Sequence, residues 1–545
     1  MGFSFSARAQ EIGIATALEK IRPTGAAPQL TDRVVIEAAR GEWEPFQIVI
    51  AGPRHKVTVE ASALSAPSAA NILAPRLYRE ALVPVAIPSN VEGEKGEWPD
   101  PLVPDVDAYV GQKRNAFPFD VPEGERRAVW GEVFVPRTAT PGVYRGKLRI
   151  ASAIAPDHVA AREIDLELTV HRFELPATSS LPVTFGISGN GLKKIHRDDS
   201  PALLARYSLS ALRHRISLHG GSMEPPPPHG DEFDFAEYDR ELAPFLDGTA
   251  DSGGAAEGAR FTAVDLRIDP KLPRAARTRY LAQVVRHFRE RGWLDRLFAY
   301  VADEPKDVDL KKVRQDAEEI HRAAPEIARL VTRERRPELL GAVDIWCPIV
   351  NRVDDKPEGS GDADRPVPRS AYRKGRDRIW WYQACMSHGC DIVGGSYFTG
   401  WPSYVIDAPA IASRIFEWLT YRYDIGGELY YNTVEAYSAG INPWHGSHLH
   451  GGNGDGTLFY PGLPAEIGGS SEIPIESIRL KLIREGLEDY EYFKILERLR
   501  GREVAAAIVA SIASKTYSWQ HDPHRLLAAR HEMAAMIDRA LQEHR

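Results

Sequence analysis

Arg296 to Pro305 reads RLFAYVADEP, an apolar run that stops on two adjacent carboxylates and a proline. A short continuous apolar segment is the pattern of a strand buried on both faces, as in a parallel sheet. Pro305 lacks an N–H and ends the ladder. The same grammar recurs on either side. PVTFGIS (Pro182 to Ser188), RISLH (Arg215 to His219) and FTAVDLRI (Phe261 to Ile268) precede this strand. ARLVTR (Ala328 to Arg333), VDIWCPI (Val343 to Ile349), RIWWYQA (Arg378 to Ala384) and GELYYNT (Gly427 to Thr433) follow it. Helical spacing separates them, most clearly where Leu281, Val284, Val285 and Phe288 share one face. Eight alternations predict a (β/α)8 barrel. An open doubly wound sheet is the alternative, but no Gly-rich phosphate loop follows the first strand. The stretches Pro225 to Pro228, Thr249 to Ala259 and Asp354 to Pro368 read as surface loops between elements.

Upstream the period changes to two. VVIEA (Val34 to Ala38), FQIVI (Phe46 to Ile50), VTVEA (Val57 to Ala61), AVWGEVFVP (Ala128 to Pro136), VYRGKLRIA (Val143 to Ala151) and EIDLELTVHRF (Glu163 to Phe173) predict an antiparallel β-sandwich. Glu174 to Ser180 is rich in turn formers and marks the boundary. The expected domains are therefore a sandwich over 1–175, a barrel over 181–500, and a helical extension over 501–545 packed on the barrel. Within Glu476 to Arg545, Ile478, Leu482, Ile483, Tyr490 and Phe493 fall at helical spacing. Tyr490 is expected to pack inward, with Glu488, Asp489 and Glu491 solvated or paired to Arg484 and Lys494.

The 545 residues are 43% hydrophobic and 26% charged, the balance of a globular protein. A formal charge of -8 leaves no basic field for nucleic acid or anionic lipid. No apolar stretch reaches the ~20 residues of a membrane span. Neither partner is expected; a homo-oligomer remains open. Three cysteines, Cys347, Cys385 and Cys390, are too few for a disulfide scaffold. The N-terminus has no secretory apolar segment, so the expected location is cytoplasmic, or secreted or periplasmic if a leader has been removed.

Barrel chemistry sits at the C-terminal ends of strands, where Asp303 and Glu304 fall. Adjacent like charges raise each other's pKa, which suits a general acid. The competing structural role for Asp303 is a helix N-cap. Trp346, Trp380, Trp381, Tyr382, Tyr397, Phe398, Trp401, Tyr404, Tyr430, Tyr431 and Trp444 cluster near the other strand ends. Aromatic faces pack on sugar C–H faces, so about half are expected to line a carbohydrate pocket and the rest the core. Alternation sends either Trp380 or Trp381 away from the axis. His445, His448 and His450, with Asp455 nearby, raise a metal-dependent hydrolase as a third reading, but their spacing fits no standard site. Cys385, His388 and Cys390 could form a zinc site or a disulfide, although inert thiols fit best. No GxSxG elbow is present. No metal and no cofactor is expected.

Taken together, GEWEPFQIVI (Gly41 to Ile50), PGVYRGKLRI (Pro141 to Ile150), YVADEP (Tyr300 to Pro305), VDIWCP (Val343 to Pro348), IWWYQAC (Ile379 to Cys385), GDGTLFYPG (Gly454 to Gly462) and SIRLKLIREGLEDYEYFKIL (Ser477 to Leu496) resemble glycoside hydrolase family 123 and the wider domain-of-unknown-function family 4091. The resemblance implies a sandwich followed by a (β/α)8 barrel. It implies an exo-acting, retaining β-N-acetylgalactosaminidase whose substrate's 2-acetamido group is the nucleophile. Asp303 would then orient that group, and Glu304 would protonate the leaving oxygen and later activate water. Trp346, Trp381, Tyr382, Trp401 and Asn432 would bind the sugar. A glycosidase for another glycan, or a non-catalytic carbohydrate-binding protein, are the alternatives.

Overall fold

The computed structural model describes residues 12–67, 72–155, 158–198, 200–228, 233–269, 271–354, 356–357, 366–372, 377–389 and 395–543. Two five-stranded sheets form the N-terminal sandwich. One runs in the order Ile12–Ala15, Glu42–Ala51, Arg126–Val135, Arg76–Val85, Gly96–Pro104; the other runs Val34–Arg40, His158–Glu174, Gly142–Ala155, Arg54–Ala61, Phe119–Val121. Alternation builds the core between them: Ile164, Leu166, Leu168 and Val170 pack against Ile48, Ile50, Val129 and Val133. The sandwich is not wholly antiparallel as expected, because Val34–Arg40 joins His158–Glu174 in parallel. The strand Gly96–Pro104, unread in the sequence, carries Pro99, Pro101 and Pro104 and lies at a sheet edge, where missing N–H groups leave no ladder bond unmade.

All eight segments read as buried strands contain parallel strands, at Val183–Gly186, Ser217–His219, Val264–Leu266, Leu297–Ala302, Ala328–Val331, Ile345–Trp346, Arg378–Ile379 with Trp381–Tyr382, and Glu428–Tyr430. They pair as two curled sheets rather than one closed ladder. The seventh segment is shared: Trp380 N–H donates to Trp346 O at 2.9 Å, and Trp381 N–H donates to Gly427 O at 3.1 Å. Between the second and third strands, side chains stand in for the ladder, Thr262 N–H donating to Ser217 Oγ at 2.7 Å and Gly220 N–H to Asp265 Oδ1 at 3.2 Å. The barrel expectation is corrected further in its connections. After Ala328–Val331 and Ile345–Trp346 the described residues form only short 3-10 turns, at Pro337–Leu339, Val350–Arg352 and Arg369–Ala371. Helix Arg274–Glu290 buries Leu281, Val284, Val285 and Phe288 as its spacing requires.

Helix Ile478–Arg500 joins the two units and departs most from expectation. Tyr490 does pack inward, but Glu485, Glu488, Asp489 and Glu491 are buried as well. Their partners come from both units. Asp489 accepts from Arg414 at 2.7 and 2.8 Å, Trp418 at 2.8 Å and Arg530 at 3.0 Å. Arg484 bonds Glu132 of the sandwich at 3.0 Å, and Trp43 N–H donates to Glu488 at 3.3 Å. The C-terminal helix Pro523–Glu543 also reaches the sandwich, through His171 and Asp538 at 3.0 Å.

Candidate active site

Leu297–Ala302 runs beside Ala328–Val331 with one irregularity: Tyr300 faces Leu330, and Ala302 faces Val331, so Val301 is an extra residue. That is a β-bulge, a device that re-aims the side chains beyond it. Phe298 and Tyr300 point inward with Leu330, Ile345, Cys347, Trp380 and Tyr382. Strict alternation would then turn Asp303 outward. The bulge reverses this, and Asp303 Oδ1 accepts from Tyr300 Oη at 2.7 Å and Thr332 Oγ1 at 2.9 Å.

Glu304 follows with φ of +39°, a left-handed conformation that costs a non-glycine residue roughly 1–2 kcal/mol. Its neighbours hold it there. Glu304 N–H donates to Thr332 Oγ1 at 2.7 Å, while Arg333 donates to Pro305 O at 3.0 Å and pairs with Asp307 at 3.0 Å. The side chain thereby meets Tyr382, whose hydroxyl donates to Glu304 Oε1. Asp303 is no N-cap, since helix Leu310–Ala323 begins after the 3-10 turn Asp307–Asp309, with Asp309 at its N-cap position.

Both carboxylates keep access to solvent. Burial of much of its surroundings nonetheless raises the Glu304 pKa; the Tyr382 hydrogen bond and Arg333 oppose the rise, and the Asp303 charge adds to it. Burial also pushes the Tyr300 and Tyr382 phenols well up, so they remain donors. Beside the pair, Arg267 lies 4.4 Å over the Tyr300 ring and 3.4 Å from the fully buried Asp265. His219, also buried, shares the electrostatic field of Asp265, Arg267 and Asp303.

Of the residues expected to bind sugar, the structure brings Tyr382 to the pair and sends others elsewhere. Trp346 and Trp381 face the helical layer, corrected by strand parity: Cys347, Trp380 and Tyr382 occupy the inward positions. Trp381 Nε1 donates to Thr420 at 3.0 Å. Trp401 packs on Tyr397 and Tyr517 and donates to Tyr397 O at 2.6 Å. Asn432 closes a turn, accepting from Thr433 and Val434 N–H at 2.9 and 3.1 Å and donating to Glu435 at 2.5 Å. Tyr404 and Tyr430 pack with Phe185 in the outer core, and Trp444 against Tyr460.

The histidines of the eighth-strand loop diverge: His445 lies 3.9 Å from Glu466, and His450 3.4 Å from Glu435. Among the described residues no three His, Cys, Asp or Glu side chains are grouped to hold a metal ion. Cys347 is free and buried. Cys385 is disulfide-bonded, against the inert-thiol reading; Cys390 lies outside the described residues. Tyr300, Thr332, Asp265, Arg267 and His219 were missed as site residues. Their signal was positional: each stands at or near the C-terminal end of one of the eight strands.

Paired carboxylates at a parallel strand end, one with a raised pKa and both held by hydroxyls, are equipment for acid–base hydrolysis. Residues 260–496 match the family described as glycoside hydrolase 123, catalytic domain. The structure of a family 123 glycoside hydrolase from Clostridium perfringens, reported for glycolipid glycan hydrolysis, shares the fold, with TM-score 0.65 and 14% identity over 98% of this chain and 99% of that one. Xylanase A of P fluorescens subsp. cellulosa aligns at TM-score 0.31 and 11% identity over 56% of this chain and 97% of that one, too slight a likeness to bear on the fold. No curated protein matches by sequence. The chain is a glycoside hydrolase 123-like protein. The match begins at the third parallel strand, so the first two, which complete the same parallel unit, lie outside it.

Proposed function

We propose that the protein is a retaining exo-β-N-acetylgalactosaminidase working by substrate assistance, on a (β/α)8-type unit whose eight strands surround Asp303 and Glu304. The observation that carries this is the placement of consecutive carboxylates in one mouth by a bulge and a left-handed residue. Carboxylates that act as enzyme nucleophile and acid flank the scissile bond from separate positions, about 5–5.5 Å apart across it. Neighbours on one chain serve one face, which suits a nucleophile carried by the substrate. Asp303, anchored through Oδ1 by Tyr300 and Thr332, offers its other oxygen to the acetamido N–H and stabilises the positive charge of the oxazolinium ion. Glu304, its Oε1 fixed by Tyr382, donates its proton to the leaving oxygen and then takes one from the attacking water.

The disulfide at Cys385 favours the secreted or periplasmic location over the cytoplasmic one. The mechanism is tested with two probes. A thiazoline analogue of the oxazolinium ion should bind far more tightly than substrate. An activated 2-fluoro glycoside should leave the protein's mass unchanged, whereas a stable adduct on Asp303 would make that residue the nucleophile and end this reading.

A further inference from the structure

Arg267 stands one residue beyond the third parallel strand, Val264–Leu266. Alternation from the inward-facing Ala263 carries Asp265 and then Arg267 toward the mouth that holds Tyr300 and Asp303. Two contacts fix it there. Its guanidinium lies 4.4 Å over the ring of Tyr300, whose hydroxyl donates to Asp303 at 2.7 Å. Its Nε lies 3.4 Å from Asp265 and 3.8 Å from Glu224. Asp265 is fully buried and accepts from Gly220 N–H at 3.2 Å, which makes it a fixed anchor.

Both carboxylates meet the Nε edge. Among the described residues none accepts from Nη1 or Nη2, and 47% of the side chain is exposed. A guanidinium stacked on a ring and held at Nε is a fork oriented in advance, with its far end open to a ligand. Asp265 and Glu224 offset its charge, so the open end suits the oxygen of a neutral hydroxyl.

The order of groups across the mouth selects the hydroxyl. In the substrate-assisted reading Asp303 takes the acetamido N–H on C2, and Glu304, turned to Tyr382 of the seventh segment, protonates the oxygen on C1. The other ring neighbour of C2 is C3, on the side away from Glu304. Arg267 stands on that side, at the end of the adjoining strand. Resting on that reading, we propose that Arg267 is a substrate-binding residue whose Nη atoms donate to the 3-hydroxyl oxygen of the terminal sugar.

The test uses an aryl 2-acetamido-2-deoxy-β-galactoside and its 3-deoxy analogue. Wild type should show a kcat/KM at least about tenfold higher for the parent, the usual worth of a hydrogen bond to a charged group. In R267M, which keeps an apolar stem beside Tyr300 and loses the fork, that ratio should fall toward one; in R267K it should lie between. A residue that only positions Tyr300 would lower both substrates together and leave the ratio unmoved. That outcome, or a wild-type ratio near one, overturns the proposal while the glycosidase reading stands. If R267M fails to fold, R267K decides, and an undiminished ratio there overturns it. If wild type cleaves neither glycoside, the glycosidase reading fails. Calorimetric binding of N-acetylgalactosamine and its 3-deoxy form then decides Arg267 by the same ratio, and equal or absent binding overturns it.

Discussion

Two groups of carboxylates divide the labour of this molecule. At the end of Leu297–Ala302, Asp303 and Glu304 are reached by solvent and held by the hydroxyls of Tyr300, Thr332 and Tyr382. On helix Ile478–Arg500, Glu485 and Asp489 are buried against Arg414, Arg484 and Arg530. Hydroxyls position a carboxylate without neutralising it, so its charge and proton stay available for chemistry. Guanidinium groups cancel the charge and fix two parts of the chain to each other. The same residue type is thus reactive in one place and architectural in the other, decided by the partner.

The largest effect should come from removing the proton at the first group. Glu304→Gln should lower turnover by about 10²–10⁴, the usual worth of general acid–base help, with an unchanged melting temperature and circular dichroism spectrum. Near-full activity on a poor leaving group would take Glu304 out of the mechanism.

Asp489→Ala should do the opposite. It takes one buried partner from each of Arg414 and Arg530, which keep Glu485 and Glu42 respectively, and breaking these buried pairs should cost about 3 kcal/mol, read as a melting temperature lower by several degrees. Loss of turnover with unaltered stability would erase the contrast between the two groups.

A finer test is the pH profile. Glu304 must be protonated to act as acid, and its pKa is raised, so activity should fall on the alkaline side above the ordinary glutamate range. The Tyr382 hydrogen bond favours the ionised form, so Tyr382→Phe should move that limb to higher pH; Asp303→Asn removes a raising charge and should move it lower. A limb that ignores both variants belongs to another group.

The smallest effect is expected at Glu488, whose pKa burial and the neighbouring Glu485 push well above the usual carboxylate range. A protonated carboxyl resembles an amide, so Glu488→Gln should change stability by less than about 1 kcal/mol and leave turnover alone. A large fall in melting temperature would mean that Glu488 works as an anion.

How much of this was legible in the sequence follows from what periodicity can and cannot encode. YVADEP gave the strand and its terminal carboxylates, because an apolar run closed by charge and proline has few other solutions. The extra residue Val301 has no signature, since a bulge differs from a regular strand only in pairing. Trp381 and Tyr382 were both read as facing the sugar, which adjacent strand residues cannot do. Trp346 failed for the same reason beside Cys347. On the helix from Ile478 the charge pattern predicts carboxylates that are solvated or paired to Arg484 and Lys494; only the tertiary contacts reveal that Glu132, Arg414 and Arg530 come to meet its charged side chains.

Turnover of two aryl β-galactosides, alike except for a 2-acetamido or a 2-hydroxy group, tests the central claim most directly. The account predicts hydrolysis of the 2-acetamido sugar and almost none of the 2-hydroxy sugar, which carries no internal nucleophile. Comparable hydrolysis of both would contradict it.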